Sequence, residues 1–139
     1  MTLLIEPRHD LTPDEVDALE MHLCDFNSRA IGRDDARGLG FVIHDAKGAM
    51  IGAAAGYSWA ATSELKQMWV DDAHRGQGHA RALLDAFIAE AARRGVKRIW
   101  VQSYSFQAPS LYEKAGFVRV ATFDDWPDGH ANIVLCLTL

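Results

Sequence analysis

The sequence predicts a mixed α/β domain in which helices flank a sheet of parallel and antiparallel strands. Short β-like runs joined by turn residues, and one strongly amphipathic helical pattern between two such runs, support this class. The order of elements, β-α-β-β-β-α-β-α-β-β, combines hairpins with a strand–helix–strand crossover. We expect about seven strands with helices on both faces. Because the chain has 139 residues, we expect a single domain over 1–139.

The N-terminal segment predicts a short strand followed by a capped helix. Residues 2–6 are mostly apolar and suit a strand. Thr12, Pro13 and Glu15 have the residue types and spacing of an N-cap, N1 and N3. Apolar residues then recur at helical spacing as far as about Ala30, which predicts one buried face. The residues on that face are Val16, Leu19, Leu23 and Phe26.

The remaining elements follow from apolar runs and from the turn residues between them. Runs at 41–44 and 50–59 flank a turn signal at 45–48 and predict a hairpin. A third run at 65–70 precedes the clearest helix, which spans 80–91 and is stopped by Gly95. The later elements are strands at 97–103, 117–123 and 133–139 and a short helix at 109–115.

Composition excludes several classes of function. The 14 Lys+Arg and 19 Asp+Glu residues give a net charge of −5, which disfavours general binding to nucleic acids or anionic membranes. No apolar stretch approaches the roughly 18 residues that a membrane helix needs. Cys24 and Cys136 lack metal-ligand spacing, so we interpret them as reduced core thiols of a cytoplasmic protein. The histidines also lack ligand spacing, and we expect no metal site.

The strongest local signal is R-G-Q-G-H-A at residues 75–80, between a predicted strand and a long helix. Glycines allow the backbone to approach a ligand closely, and amides at a helix N-terminus attract anions. Arg75 and Arg81 add positive charge at the same end. The alternative is a plain strand-to-helix turn. The segment is neither a Walker A loop nor a dinucleotide-binding fingerprint.

Two motifs in this order resemble the GNAT superfamily of N-acetyltransferases. Arg75, Gly78 and Ala80 occupy the defining positions of its pyrophosphate-binding pattern, Q/R-x-x-G-x-G/A. The run A-P-S-L-Y-E-K-A-G-F at 108–117 is similar to its second signature, A-x-x-L-Y-x-K-x-G-F. The order of elements matches as well, and further residues resemble a subgroup of small bacterial members. The resemblance implies a GNAT-like acyl-CoA N-acyltransferase fold and an enzyme that transfers the acetyl group of acetyl-CoA to a primary amine.

The resemblance also implies which residues contact acetyl-CoA, the co-substrate. Backbone amides of one central strand would hold the pantetheine arm, and amides of the following loop would hold the pyrophosphate. Ser105 stands where many members carry Asn. The residues implied to contact acetyl-CoA are Met68, Trp69, Val70, Arg75, Gly76, Gln77, Gly78, His79, Ala80, Arg81 and Ser105.

Direct attack of the amine on the thioester requires an acid and a base. Tyr112 matches the family's tyrosine, which protonates the departing thiolate. Glu64, at the start of the central strand, is the candidate base, and a solvated strand end is its alternative interpretation. Lys66 lies on the same face, where it could pair with Glu64 or favour an anionic substrate.

The acceptor side is less defined by the sequence. Asp124, Asp125 and His130 flank the last hairpin, where the two carboxylates would suit a cationic amine; the alternative is a solvated turn. A non-catalytic acyl-CoA sensor on the same fold, or a structural domain that binds no CoA, are the competing classes. We expect acetyl-CoA and an amine as partners, neither nucleic acid nor membrane, and leave a homodimer open.

Overall fold

The computed structural model describes residues 2–139, which divide into two units between Asp34 and Asp35. The first unit contains one helix, α1 (Pro13–Ile31). The second contains six strands and two α-helices, so the mixed α/β class is confirmed with six strands in the described residues. Its elements are β1 (Arg37–His44), β2 (Met50–Trp59), β3 (Thr62–Val70), α2 (His79–Arg93), β4 (Arg98–Tyr104), α3 (Pro109–Lys114), β5 (Val118–Asp124) and β6 (Ala131–Thr138).

Helix α1 begins with the predicted capping box. The Thr12 Oγ1 atom accepts from the Glu15 N–H at 3.2 Å, and the Glu15 Oε1 atom accepts from the Thr12 N–H at 3.3 Å. The helix ends at Gly32, which adopts the left-handed conformation. The strand expected over 2–6 is wrong, because this segment pairs with no other strand. An isolated extended segment has no ladder of hydrogen bonds to stabilise it.

The buried face expected on α1 is also wrong. No residue of the helix is buried, and its apolar residues, like Cys24, are exposed. The helical spacing predicts the helix correctly, but burial needs a second element against which the apolar stripe can pack. The first unit has only one helix, so it provides no such element.

The sheet of the second unit has the strand order β1-β2-β3-β4-β6-β5. Strands β3 and β4 are parallel, and the other neighbouring pairs are antiparallel. Helix α2 connects the two parallel strands, as a parallel pair requires. The predicted hairpin between β1 and β2 is confirmed, and its turn is closed by the Asp45 carboxylate.

One face of this sheet is buried under α2 and α3. Four residues of α2 belong to the core, which confirms the predicted amphipathic helix; they are Leu83, Leu84, Phe87 and Ala91. The strands contribute Leu65, Val101 and Leu135 to the same cluster. Side chains alternate along a strand, so the neighbours of these residues lie on the opposite face. We call the side under α2 the core face and the other side the opposite face.

The two parallel strands separate halfway along their length. They pair only from Thr62 and Arg98 to Leu65 and Val101, so residues 66–70 and 102–104 are not paired with each other. The separation begins at a β-bulge, because Ala55 pairs with Gln67 whereas Gly56 pairs with Leu65, which leaves Lys66 as the extra residue. A Cβ added to Gly56 would overlap the Glu64 carbonyl oxygen. Only glycine permits this approach of β2 to β3.

Among the described residues, none of the helices combines the length and apolar character that crossing a membrane would require.

Candidate active site

The loop between β3 and α2 presents a row of backbone donors. In the part of the chain that the structure describes, none of the N–H groups from Gly76 to Arg81 donates to a protein acceptor. The first backbone bond of the helix is donated by Ala82 to the Gly78 carbonyl at 3.0 Å. These donors lie in the loop and the first turn at the positive end of the α2 dipole. Unpaired amides at a helix N-terminus are suited to binding an anion, so the anion site expected here stays a prediction.

The path of this loop is fixed from both ends. Asp71 accepts from the Ala73 N–H at 3.2 Å and so caps a single 3₁₀ turn, Asp72–His74. Gly78 is the N-cap of α2 and has a φ of 82°, so a side chain there would be strained. No protein atom lies within 4 Å of a Cβ built on Gly78. A ligand can therefore come close to the backbone of the loop at Gly78.

The two arginines of the loop are held at the surface. The Arg75 Nε atom donates to the Val70 carbonyl at 3.2 Å, and the Arg75 Nη2 atom pairs with Asp72 at 3.0 Å. The Arg81 Nε atom pairs with Asp85 at 2.9 Å. Arg75 therefore connects the loop to the end of β3 and also adds positive charge beside the free amides.

The end of β3 faces the gap between the parallel strands. Val70 is buried and Met68 packs against the core, whereas Trp69 is 44% exposed. On the side towards β4, residues 66–70 have no strand partner. An extended, amide-containing chain can therefore bind to this edge as an additional strand does.

Tyr112 combines a buried ring with an accessible hydroxyl. The ring lies in the core cluster, with its centroid 5.6 Å from that of Phe117 in an edge-to-face arrangement. The hydroxyl has no hydrogen-bond partner among the described residues, and no buried polar side-chain atom there lacks a partner, so this oxygen reaches solvent. Burial raises the pKa of the Tyr112 phenol to about 12. The group is therefore a protonated donor at neutral pH.

Glu64 lies on the opposite face, beside the point where the strands separate. It pairs with Tyr57 on β2 and with Trp100 on β4. The Tyr57 hydroxyl donates to the Glu64 Oε2 atom at 3.1 Å. The Lys66 Nζ atom lies 5.6 Å from the centroid of the Tyr57 ring. Glu64 is half-buried and fixed by this contact, which distinguishes it from a freely solvated strand end.

Ser105 and Phe106 follow β4 and contact Ala131 and His130, respectively. The Ser105 Oγ atom accepts from the Ala131 N–H at 3.1 Å, and the Ser105 N–H donates to the Ala131 carbonyl at 2.8 Å. The ring of Phe106 stacks on Tyr104 at 5.2 Å and meets the edge of His130 at 5.0 Å. These contacts fix the loop after β4 against the β5–β6 hairpin.

Asp124 and Asp125, the hairpin carboxylates expected to attract an amine, differ in their surroundings. Asp124 is exposed and ends β5, one of the two edge strands of the sheet. Asp125 has a φ of 54°, and its Oδ1 atom accepts from the Gly129 N–H at 3.3 Å, so its carboxylate helps to close the turn. Among the described residues, no cluster of His, Cys, Asp or Glu could hold a metal ion.

A sequence model of the acetyltransferase (GNAT) family matches residues 4–117, which is most of the chain. The chain belongs to the GNAT acetyltransferase family. An Agrobacterium fabrum acetyltransferase is 25% identical over 114 residues, which cover 82% of this chain and 83% of that protein. An acetyltransferase crystal structure from Agrobacterium tumefaciens superposes with a TM-score of 0.85 at 22% identity, covering 100% of both chains. One from Bacillus cereus has a TM-score of 0.79 at 23% identity and covers 96% of this chain and 98% of that one.

Membership confirms the resemblance that the two motifs indicate: this GNAT protein is an acyl-CoA N-acyltransferase. Sequence reasoning missed three parts of the site, namely Tyr57 as a partner of Glu64, the bulge at Lys66, and the aromatic contact of His130. Only the bulge had a signal in the sequence. A glycine inside an otherwise apolar strand, such as Gly56, marks a bulge or a close approach of two backbones.

Proposed function

We propose that this enzyme transfers the acetyl group of acetyl-CoA directly to the nitrogen of a primary amine, either a small molecule or a peptide. The observation that supports it best is the gap between β3 and β4, which begins at Leu65 and Val101 and is followed by the free amides of the α2 loop. A thioester in this gap is open to attack from the opposite face. We also propose that residues 1–139 act as one acetyltransferase domain, because the family match spans both units.

The co-substrate half of the site would consist mainly of backbone groups. The amides from Gly76 to Arg81 would bind the pyrophosphate, with Arg75 and Arg81 adding charge. A hydrogen bond to a charged group contributes about 1.5–3 kcal/mol, so several donors together give substantial affinity. The edge of β3 at Met68, Trp69 and Val70 would bind the pantetheine arm and polarise the thioester carbonyl. Ser105 would donate its hydroxyl proton to acetyl-CoA, since its oxygen already accepts from Ala131.

The chemistry requires proton transfers at two atoms. An ammonium acceptor would lose one proton to Glu64, and the free amine would form a C–N bond to the thioester carbon. The C–S bond breaks with its electron pair on sulfur, and Tyr112 would give that sulfur a proton. A second proton leaves the nitrogen and replaces the one that Tyr112 donated. Desolvation weakens the acidity of Tyr112, but it also raises the basicity of a thiolate formed in the same environment.

Acceptor guidance by the β5–β6 hairpin is the second part of the proposal. Asp124 and Asp125 would attract a cationic amine, and His130, held against Phe106, would form one wall of its path. The free cysteines of the described residues suit the cytoplasm, where we propose the enzyme acts. A homodimer is compatible with this proposal, and light scattering would measure it.

The deciding experiment follows CoA release with a thiol reagent while acetyl-CoA is offered with a panel of amines and peptides. We expect release to depend on an acceptor and to fall strongly in Glu64→Gln, a variant of nearly the same shape. Acetyl-CoA at a hundredfold its Kd should stabilise the protein by about 2.7 kcal/mol in a thermal-shift assay.

The thermal shift separates the competing classes. Stabilisation by acetyl-CoA without acetylation of any acceptor would favour the non-catalytic sensor. No stabilisation at all would favour a structural domain that binds no CoA.

A further inference from the structure

One aromatic side chain contacts both charged residues beside the gap. We call Tyr57, Glu64 and Lys66 the Tyr57 cluster. The Tyr57 hydroxyl donates to Glu64 Oε2 at 3.1 Å, and the face of the same ring lies 5.6 Å from the Lys66 ammonium. The hydroxyl therefore engages the carboxylate while the ring engages the cation, which is within the range of a cation–π contact.

This arrangement keeps apart two charges that ordinarily pair. Residues two apart on a strand share a face and are separated by roughly 6.6 Å, within reach of Lys and Glu side chains. Among the described residues, however, no ion pair joins Lys66 to Glu64 or to another carboxylate. The ammonium of Lys66 is exposed and the carboxylate of Glu64 is half-buried. Both charges are thus available to a molecule that approaches from the opposite face.

The position of Lys66 gives it more influence on an acceptor than the hairpin carboxylates have. Lys66 is the bulged residue at which β3 and β4 begin to separate. Asp124 lies on β5, which is two strands beyond β4, or roughly 10 Å from it. That distance is about one Debye length at physiological ionic strength, so the attraction of Asp124 for a group in the gap is largely screened. Asp125 is further occupied by the Gly129 amide.

We propose that the acceptor is an amine that also carries an anionic group, a carboxylate or a phosphate, a few bonds from its nitrogen. Lys66 binds the anionic group, and Glu64 takes the proton of the ammonium. Tyr57 is a positioning residue that prevents Lys66 and Glu64 from neutralising each other. This inference rests on the proposed function, because it assigns the acceptor of that same transfer reaction. The bonds formed and broken and the proton transfers are the same as in that reaction.

The test compares matched acceptors that differ only in the anionic group. Glycine and alanine are assayed against their carboxamides, and O-phosphoethanolamine against ethanolamine, with kcat/KM measured from CoA release. We expect the anionic member to be preferred by about tenfold or more in at least one series. The carboxylate and phosphate series distinguish the two kinds of anionic group.

Variants of the Tyr57 cluster then separate the roles of its members. Lys66→Met should reduce the preference to about twofold or less through KM, whereas Lys66→Arg should retain most of it. Tyr57→Phe keeps the ring under Lys66 but removes the hydroxyl, so kcat should fall while the preference remains. Tyr57→Leu removes ring and hydroxyl, and both kcat and the preference should fall. Circular dichroism checks that each variant is folded.

A preference for the neutral members, or an anionic preference that Lys66→Met leaves intact, overturns the inference while acetyl transfer stands. If no anionic amine is acetylated while other amines are, the inference is likewise overturned and acetyl transfer stands. Failure of all amines in the wider panel, with acetyl-CoA bound, overturns the proposed function as well.

Discussion

The two halves of the proposed active site are built from different parts of the chain. The co-substrate half is a continuous segment, 76–81, whose donors are backbone amides at the start of one helix. The acceptor half combines Tyr57 of β2 with Glu64 and Lys66 of β3. The bulge between these strands determines which of their residues lie opposite each other. A site made of local backbone tolerates many side chains but needs glycine at its turns. A site made of cross-strand side chains depends on register, which one displaced residue changes.

Tyr112→Phe should have the largest effect and should leave both halves able to bind. The substitution keeps the buried ring and removes only the proton donor, so kcat should fall by roughly 10²–10⁴-fold with acetyl-CoA affinity nearly unchanged. Because the pKa of the phenol is raised to about 12, its ionisation should not lower the turnover of the wild type below about pH 11.

Single-turnover assays with calorimetry of acetyl-CoA binding test this prediction. Unchanged turnover, with chemistry shown to limit the rate, would remove Tyr112 from the mechanism. A loss of acetyl-CoA affinity equal to the loss of rate would assign the residue to binding instead.

Gly56→Ala should displace the backbone of β3 at Glu64 and so lower both stability and activity. The added methyl group overlaps the Glu64 carbonyl, so β2 and β3 must move apart at the bulge. Overpacking of this kind costs about 1–3 kcal/mol, and a displacement near 1 Å can lower the rate about 10²-fold. Denaturant unfolding and kcat/KM would measure the two effects. Gly38→Ala on β1, where a Cβ meets no atom within 4 Å, is the matched control.

If Gly56→Ala retained full activity, the bulge would not position Glu64 and Lys66. The acceptor half would then not depend on strand register.

Gly78→Val tests the co-substrate half. Valine at a φ of 82° is strained, and its branched side chain would occupy the space in front of the free amides. We expect the Kd for acetyl-CoA to rise by about tenfold or more, which corresponds to the loss of one charged hydrogen bond. Gly95→Val is the control, because Gly95 has a φ of 78° but follows the far end of α2, roughly 22 Å away.

Calorimetry of acetyl-CoA binding to both folded variants distinguishes an effect of backbone strain from an effect on the binding site. Wild-type affinity in Gly78→Val would refute the pyrophosphate assignment. Equal losses in the two variants would attribute the effect to general destabilisation.

The two halves also differ in how well the sequence predicts them. Gly76 and Gly78 before an amphipathic helix indicate an anion site from local residues alone, and the structure leaves their amides free. The Tyr57–Glu64 contact joins residues seven positions apart through a register that no local pattern encodes. Gly56 inside a strand indicates a change of register. Only the paired strands show that the atom close to it is the Glu64 carbonyl oxygen.

The same contrast applies to the two long helices. Both α1 and α2 have apolar residues at helical spacing, and their starts and ends were predicted closely. Four residues of α2 are buried in the core, whereas α1 buries none. Spacing predicts which side of a helix is apolar. Whether that side is covered depends on a second element that packs against it, and the described residues of the unit that contains α1 provide none.

The smallest expected effect belongs to the double variant Asp124→Asn/Asp125→Asn, which decides between the hairpin and Lys66 as the guide of the acceptor. If the carboxylates attract a cationic amine, its KM should rise by about twofold to fivefold at low salt and less at high salt, because exposed charges are screened. If the acceptor carries an anion that Lys66 binds, the same variant should leave KM unchanged or lower it slightly, since two repulsive charges are gone. Measuring KM at two ionic strengths in wild type, the double variant and Lys66→Met gives opposite signs for the two models. A KM that rises in the double variant and also falls in Lys66→Met would show that the hairpin guides the acceptor and that Lys66 opposes it.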